Sequence, residues 1–348
     1  MAEEGKGRRS IKKVAFISTI VIIVLLLATV FTINQITGKR SASTSTNDDN
    51  YVLRIADESG LCEAPQQIAI ERGLFKKYGV KYKNVKIGDL SGTEALTAGK
   101  VDATNSLLAS VVQPLTNGAE LKITTGLHTG CLQILVGKNS KIKSIKDLKG
   151  KKIGVGSLAG SPATFAKRVL SYNGLNVSAK NSDAQFIQYD SASLPIVLNK
   201  GQVDAIAVGD PDTQIAIKNY GFTSLASSAT TAPFNKEYCC VAYVSNKLAK
   251  EHPEIARKFT LALQEAAEWI ANHQDESVKI QTDKKYIAGD KKTNLSALKT
   301  YKWEPSFTDA KKAFKQTADS LQDIGVISKD IDTQALTDHS FLKFKGVK

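Results

Sequence analysis

The segments ALTAGKVDATNS (residues 95–106) and VLNKGQVDAIAVGD (residues 197–210) repeat one pattern in the two halves of the chain. In each segment a helical stretch ends at a glycine, Gly99 or Gly201, and Val-Asp-Ala then enters a strand. Glycine suits the left-handed backbone conformation that ends many helices. The repeat predicts two halves built on one plan; the alternative is that Gly-x-Val-Asp-Ala is a general joint between a helix and a strand.

The surrounding sequence alternates short apolar runs with helical patterns from Tyr51 onward. Such alternation is typical of an α/β fold with parallel or mixed sheets flanked by helices. The run LQILV at 132–136 leads into the second half, and YCCVAYVSN at 238–246 returns from it. Two crossings predict two lobes, with lobe one formed by residues 51–137 and 245–348 and lobe two by residues 138–244. The tail is predicted to be helical, with one helix starting at Pro253.

The N-terminal region contains a charge-free apolar run at residues 14–33 after a basic stretch. This run is long enough to cross a bilayer as a helix, and its basic flank predicts that the following residues lie outside the cytoplasm. It exceeds the usual apolar length of a cleaved signal, which favours an uncleaved transmembrane anchor at 14–33. We therefore expect a cytoplasmic head at 1–13, a flexible linker at 34–50, and a binding domain held at the cell membrane on its extracellular or periplasmic side.

The formal net charge of +13 raises the question of a nucleic-acid partner. Residues 1–40 carry seven Lys and Arg against two Glu, and the remaining lysines are scattered along helical patterns. They lack the interleaved aromatic residues of a single-strand binder. The pattern indicates a solvated basic surface and no nucleic-acid partner.

Four segments carry a resemblance to a known family: EAPQQIAIERGLFKKYGV (63–80), EALTAGKVDA (94–103), SIKDLKGKKIGV (144–155) and LNKGQVDAIAVGDP (198–211). In this order they resemble the solute-binding proteins of nitrate, sulfonate and taurine importers, a group that includes binders of thiamine pyrimidine precursors. The resemblance implies a two-lobed, periplasmic-binding-protein-like clamshell of type II. It also implies an extracytoplasmic role: capture of a small nitrogen- or sulfur-containing molecule or oxyanion, and delivery to an ABC permease with its ATPase.

Candidate ligand contacts follow from where strands end, because ligands of open α/β sheets gather at the carboxyl ends of strands and the amino ends of helices. The residues chosen on this basis are Glu58, Ser59, Leu61, Cys62, Ser91, Asn105, His128, Thr129, Cys131, Ser157, Gly160, Ser161, Asp190, Asp210 and Cys239.

The charge of the ligand stays open at this point. The loop GVGSLAGSP (154–162) opens a helix, and its amides suit a carboxylate, sulfonate or phosphate; alternatively, Ser161 caps that helix itself. Asp57, Glu58, Asp89, Asp190 and Asp210 instead favour an amine or a cation if they point inward. Asp190 and Asp210 also suit helix N-caps.

The cysteines also leave alternatives open: ordinary buried thiols, one disulfide, or contact with a ligand or soft metal that includes His128. Since neighbours in a strand face opposite ways, we expect one of Cys239 and Cys240 to face the cleft. Cys131 with His128 lacks the further members of a catalytic group, so we expect no enzyme, no cofactor and no assigned metal. Two other functions remain: a soft-metal or thiol-liganding protein using Cys62, Cys131 and Cys239, and a membrane-anchored sensor domain of the same fold.

Overall fold

The computed structural model describes residues 48–348 apart from Asp89 and the side chain of Asp49. The predicted head at 1–13, the anchor at 14–33 and nearly all of the linker lie outside these residues. None of the helices within the described residues has the length and apolar character that a membrane span requires.

Strands and helices alternate through most of the chain, as the sequence predicts. In chain order the elements are β1 (Val52–Ala56), α1 (Ala64–Glu71), α2 (Leu74–Lys77), β2 (Lys81–Val85), α3 (Gly92–Thr97), β3 (Ala103–Leu107), α4 (Ala109–Thr116), β4 (Leu121–Thr129), β5 (Leu132–Val136), β6 (Lys152–Val155), α5 (Ser161–Tyr172), β7 (Gln185–Gln188), α6 (Leu194–Asn199), β8 (Ala205–Gly209), α7 (Asp212–Tyr220), β9 (Thr223–Ser227), β10 (Tyr238–Ser245), α8 (Asn246–Glu251), α9 (Pro253–Asn272), α10 (Gln274–Asp283), α11 (Lys291–Leu298), α12 (Phe307–Asp323) and α13 (Thr333–Ser340).

Two five-stranded sheets form the centres of two lobes, in the orders β2-β1-β3-β10-β4 and β7-β6-β8-β5-β9. In the first sheet β1 runs parallel to β2 and β3, whereas β10 is antiparallel to β3 and β4. In the second, β6 runs parallel to β7 and β8, and β5 is antiparallel to β8 and β9. The prediction of a two-lobed α/β fold with mixed sheets is therefore confirmed.

The chain crosses between the sheets earlier than the sequence suggested. It leaves the first sheet at Gly130 and Cys131, because β5 pairs with β8 and β9 of the second sheet. It returns before Tyr238, because β10 pairs with β3 and β4. The expected limits at residues 137 and 245 are thus each about one strand too late. An apolar run shows that a strand is buried, but it does not show which sheet the strand joins.

The two copies of the internal repeat adopt the same local structure, one in each lobe. Gly99 and Gly201 have left-handed φ values of 70° and 68°. In the first lobe the Asp102 carboxylate accepts a hydrogen bond from the backbone amide of Arg54 at 2.9 Å. In the second lobe the Asp204 carboxylate accepts one from the amide of Lys152 at 2.8 Å. Each Val-Asp-Ala joint therefore fixes the start of its own strand to the neighbouring strand.

The helical tail packs mainly on the first lobe but also reaches the second. Helix α9 begins at Pro253 as expected and packs against α1 and β4. Six apolar residues on one face of this helix are buried: Ile255, Phe259, Ala262, Leu263, Ala266 and Ile270. Helix α11 contacts α7 of the second lobe, and Lys218 pairs with Asp290 at 2.7 Å. The tail therefore contacts both lobes.

Candidate functional site

A cavity of about 650 Å³ lies between the two lobes. The first lobe contributes the amino end of α3 and one face of α4. The second contributes the loop after β6, the start of α5, Ser191 and the end of β8. The volume falls in the usual range of small-molecule pockets.

The amino end of α5 is open towards this main cavity. Gly160 precedes the helix in an extended conformation, and no side chain caps the first turn. Ser161 is the first helical residue, and its buried hydroxyl has no hydrogen-bond partner among the described residues. The alternative that Ser161 caps its own helix is therefore wrong, and the first amides remain available to an acidic group.

The loop before α5 requires glycine where it approaches the first turn after β7. A Cβ atom at Gly156 would lie 2.2 Å from the Ser191 hydroxyl oxygen. Both residues line the main cavity. Close approach of these two segments therefore forms one wall of the cleft.

A second cavity of about 490 Å³ continues from the main one, since Gly209 and Asp212 line both. The predicted contacts Ser59, Cys62, Cys131 and Asp210 lie here. They are joined by Glu63 and by the segment 285–288. The two cavities form one cleft whose floor is the crossing region between the lobes.

Asp210 lies in this floor and is buried. Burial raises the pKa of its carboxyl group to about 7, while hydrogen bonds from Tyr301 and Gln214 oppose the increase. The Tyr301 hydroxyl donates to the carboxylate at 2.8 Å. The predicted N-cap role of Asp210 is wrong, because Pro211 precedes α7 and Asp210 contacts Tyr301 instead.

Glu63 lines the second cavity and is buried, whereas Glu58 is half-buried and lines neither cavity. Burial raises the pKa of Glu63 well above its ordinary value, and burial also raises the pKa of Glu58. Desolvation disfavours the charged form of a carboxyl group. The floor therefore favours neutral carboxyl groups, which can donate hydrogen bonds to a ligand.

Glu58 also connects three elements of the first lobe. Its carboxylate accepts a hydrogen bond from the Gly92 amide at 3.1 Å and one from the Thr104 hydroxyl at 2.7 Å. A Cβ atom at Gly92 would lie 2.2 Å from the same carboxyl group. Glu58 is therefore placed to orient the amino end of α3, which faces the main cavity.

We expect Gly92→Ala to lower the free energy of unfolding by about 1–3 kcal/mol, because the added methyl group displaces Glu58 and breaks buried hydrogen bonds. Chemical denaturation measures the loss. Gly137→Ala is the matched control, since a Cβ atom at Gly137 meets no atom within 4 Å. Equal stability of the two variants would contradict the role of Glu58 in holding the amino end of α3 in place.

All four cysteines lie together below the cleft. Cys131 and Cys239 form a disulfide with a Cα–Cα distance of 6.8 Å, and it joins the two crossings. Cys62 and Cys240 are buried free thiols. Neither Cys239 nor Cys240 lines the two cleft cavities, although one of them was expected to face the cleft. The Cys62 sulfur lies within 4.8 Å of the sulfur of each. Irregular pairing of β10 with β4 on either side of Cys240 interrupts the alternation of side chains, as β-bulges do.

His128 is buried beside this cysteine cluster. Its Nδ1 lies 3.1 Å from the carbonyl oxygen of Thr129, and its Nε2 lies 3.2 Å from that of Cys62. Burial alone would lower the pKa of His128, but the charge and hydrogen bond of Cys240 and the two carbonyls raise it. Burial would raise the pKa of Cys240, but hydrogen bonds with Cys62 and His128 and the charge of His128 lower it to about 6.

The remaining predicted contacts are distributed as follows. Ser91, Ser157 and Gly160 line the main cavity, and Ser91 caps α3. Asp190 is exposed and caps the short turn at 191–193. This is the helix-capping role that was one of the two roles considered for it. Seven other predicted contacts line neither cleft cavity: Glu58, Leu61, Asn105, His128, Thr129, Ser161 and Cys239. Of these, Thr129 faces a separate cavity of about 160 Å³, and Ser161 and Cys239 line a small space beside Arg168.

A polar face of α4 also lines the main cavity, and none of its residues was predicted. Ser110, Gln113 and Asn117 line it. Their spacing of three and four residues places them on one face of a helix. That periodic polar stripe, directly after a strand, was the signal that could have revealed them. Ser191 directly follows Asp190, and Asp212 lies two residues after Asp210; in each case the earlier aspartate was chosen instead.

A family model described as NMT1/THI5 like matches residues 63–277. A Bacillus subtilis (strain 168) protein named as an aliphatic sulfonates-binding protein is 28% identical over 303 residues, which cover 84% of this chain and 87% of that protein. A Haemophilus influenzae protein named as a thiamine biosynthesis protein is 27% identical over 279 residues, which cover 75% of this chain and 83% of that protein.

Among solved structures, the alkanesulfonate-binding protein SsuA from Xanthomonas axonopodis pv. citri bound to MOPS aligns with a TM-score of 0.69. The sequence identity is 20%, and the alignment covers 84% of this chain and 98% of that one. This likeness supports the two-lobed fold. The family match spans more than half of the chain. The resemblance to solute-binding proteins of nitrate and sulfonate importers is therefore confirmed, and the chain belongs to the NMT1/THI5-like family.

Proposed function

We propose that this protein is the extracytoplasmic solute-binding component of an ABC importer and has no catalytic activity. The observation that carries the proposal is the cleft between the lobes, with the uncapped start of α5 on one wall. Its partners are then a permease and an ATPase. The charge-free run at 14–33 with its basic flank would hold the domain at the outer face of the cell membrane.

The two ends of the cleft favour different chemical groups. The helix start favours an acidic group. At the other side, the Asp212 carboxyl lies where the two cavities meet, and it would attract an amine. A small aminosulfonate or amino acid uses both ends, whereas nitrate uses one. The relatives include a protein named as an aliphatic sulfonates-binding protein, which supports a sulfonate as the acidic group.

The test compares taurine, ethanesulfonate and nitrate by their effect on the thermal unfolding of the full-length protein. We expect taurine to stabilise most and nitrate least, because ligand binding to the folded state raises stability with affinity. Small-angle scattering should show compaction with the stabilising solute, since hinge closure brings the lobes together. Equal effects of nitrate and taurine would overturn the two-ended interpretation.

A blocking variant separates cleft binding from binding elsewhere. Ala159 lines the main cavity, so Ala159→Trp should fill it and weaken binding by roughly 100-fold or more, as expected when a buried site is occluded. The neighbouring Leu158 is 46% exposed and does not line the cleft cavities. Leu158→Trp is therefore the matched control and should bind normally. Unchanged binding by both variants would exclude the cleft as the solute site.

A further inference from the structure

The cysteine cluster is a buried group of chemically active side chains at the floor of the cleft, and the proposed function assigns it no role. Its sulfurs come from three segments: Cys62 precedes α1, Cys131 lies in the first crossing, and Cys239 and Cys240 belong to β10. All four residues are at most 8% exposed. The other three sulfurs each lie within 4.8 Å of the Cys62 sulfur.

These separations suit a metal ion held by thiolates. Four sulfurs arranged tetrahedrally about a zinc ion, at bond lengths of about 2.3 Å, are roughly 3.8 Å from one another. The sulfurs of Cys62, Cys131 and Cys239 lie within 4.8 Å of one another, whereas Cys240 belongs with Cys62 and His128 to a second group. A four-thiolate site therefore requires reduction of the bridge and rotation of side chains that brings Cys240 towards Cys131 and Cys239. We infer that the reduced cluster binds one thiophilic divalent cation of the zinc class, with Cys62, Cys131, Cys239 and Cys240 as its ligands.

His128 acts as a positioning residue for this site. Both of its ring nitrogens contact backbone carbonyl oxygens, and one of these carbonyls belongs to Cys62. The ring also stacks on Tyr301 with a centroid distance of 5.0 Å and packs against Trp303 at 4.5 Å. His128 therefore holds the Cys62 backbone in place. Partners of this kind typically contribute to metal affinity without bonding to the ion.

Metal binding and the disulfide exclude each other, because Cys131 and Cys239 supply ligands only as thiols. A dithiol reductant opens the bridge: two electrons and two protons convert it into two thiols, and the reductant becomes a cyclic disulfide. The cation then replaces the thiol protons, which are released to solvent. Cys62 and Cys131 line the second cavity, which provides a path for the ion. The ion would join the same two crossings that the bridge joins in the oxidised protein.

The experiment titrates Cd²⁺ into full-length protein, without solute, before and after reduction by a dithiol and removal of the reductant under anaerobic conditions. The ultraviolet charge-transfer band of cadmium–thiolate bonds reports binding, and native mass spectrometry reports stoichiometry. We expect one ion per reduced chain and no thiolate band in the oxidised protein. Absence of a band in the reduced protein, or an equal band in the oxidised protein, would overturn the inference.

Variants identify the ligands. Cys62→Ser and Cys240→Ser should each weaken Cd²⁺ binding by roughly 100-fold or more. His128→Gln should keep the shape of the band and weaken binding by about 10- to 100-fold. His273→Gln, at the end of α9, is the matched control and should bind normally. Circular dichroism checks folding, and the redox comparison of the unaltered chain decides the question if a variant does not fold. Wild-type affinity in Cys62→Ser would also overturn the inference.

Discussion

Replacement of Asp210 by asparagine is expected to stabilise the protein at neutral and alkaline pH and to remove part of its pH dependence. Burial raises the pKa of this carboxyl group from 3.8 to about 7. Below about pH 4 both the folded and the unfolded chain hold the proton. Between about pH 4 and 7 the unfolded chain releases it while the folded chain retains it, so stability falls by about 1.4 kcal/mol per pH unit. The total loss is about 4 kcal/mol and is complete above about pH 7.

The asparagine side chain in this variant does not titrate, and its oxygen can still accept the hydrogen bond from Tyr301. The difference in unfolding free energy between Asp210→Asn and wild type should therefore grow from pH 4 to pH 7 and then stay constant. Urea unfolding across pH 4–8 measures it, and taking the difference cancels the contributions of other titrating groups. Tyr301→Phe removes a hydrogen bond that lowers the pKa, so it should shift the end of the stability loss to higher pH. Parallel profiles for wild type and Asp210→Asn would contradict the buried-carboxyl interpretation.

Replacement of Arg168 is expected to lower the free energy of unfolding by an amount similar in size to the pH-dependent effect of Asp210. Its guanidinium makes two hydrogen bonds to the Glu237 carboxylate, at 2.6 and 2.9 Å, and both side chains are largely buried. The guanidinium also lies 5.2 Å from the centre of the Phe234 ring. Arg168→Met would leave an unpaired buried carboxylate, which typically costs about 3–5 kcal/mol. Because Arg168 lies on α5 and Glu237 directly precedes β10, the pair attaches the return crossing to the second lobe.

A double variant distinguishes the unpaired charge from lost packing. Arg168→Met with Glu237→Leu replaces both charges by apolar groups and should recover most of the loss, as buried ion pairs often do. Lys279→Met is the exposed control: Lys279 pairs with Asp283 on one helix surface, and such pairs contribute at most about 1 kcal/mol. Chemical denaturation of the four proteins gives the comparison. A double variant as unstable as Arg168→Met would show that packing, and not charge, dominates.

The sequence predicted those features of the fold that depend on neighbours along the chain. The helix ends at Gly99 and Gly201 and the start of α9 at Pro253 follow from local backbone preferences. Assignment of β5 and β10 to their sheets depends on pairing with strands about 70 or more residues away. Hydrophobic pattern alone does not report such pairing.

The site was predicted less well, for physical reasons that differ between residues. Asp210 looked like a helix cap because aspartate before proline suits one, but its partner Tyr301 lies far away in the tail. The four cysteines come from three segments that are distant along the chain, and regular alternation does not anticipate the irregular pairing beside Cys240. Ser157 and Gly160 line the cleft as expected, because the start of a helix after a strand is a local signal.

The pairing of β4 with β10 defines the point at which the second lobe is inserted into the first. Thr129, the last residue of β4, lies opposite Tyr238, the first residue of β10, in an antiparallel ladder. These are the two ends that an ordinary two-residue turn would connect. The whole second lobe is, in this sense, an insertion at the tip of a hairpin. Replacing residues 130–237 by a short Asn-Gly turn would leave every strand of the first sheet with its present neighbours.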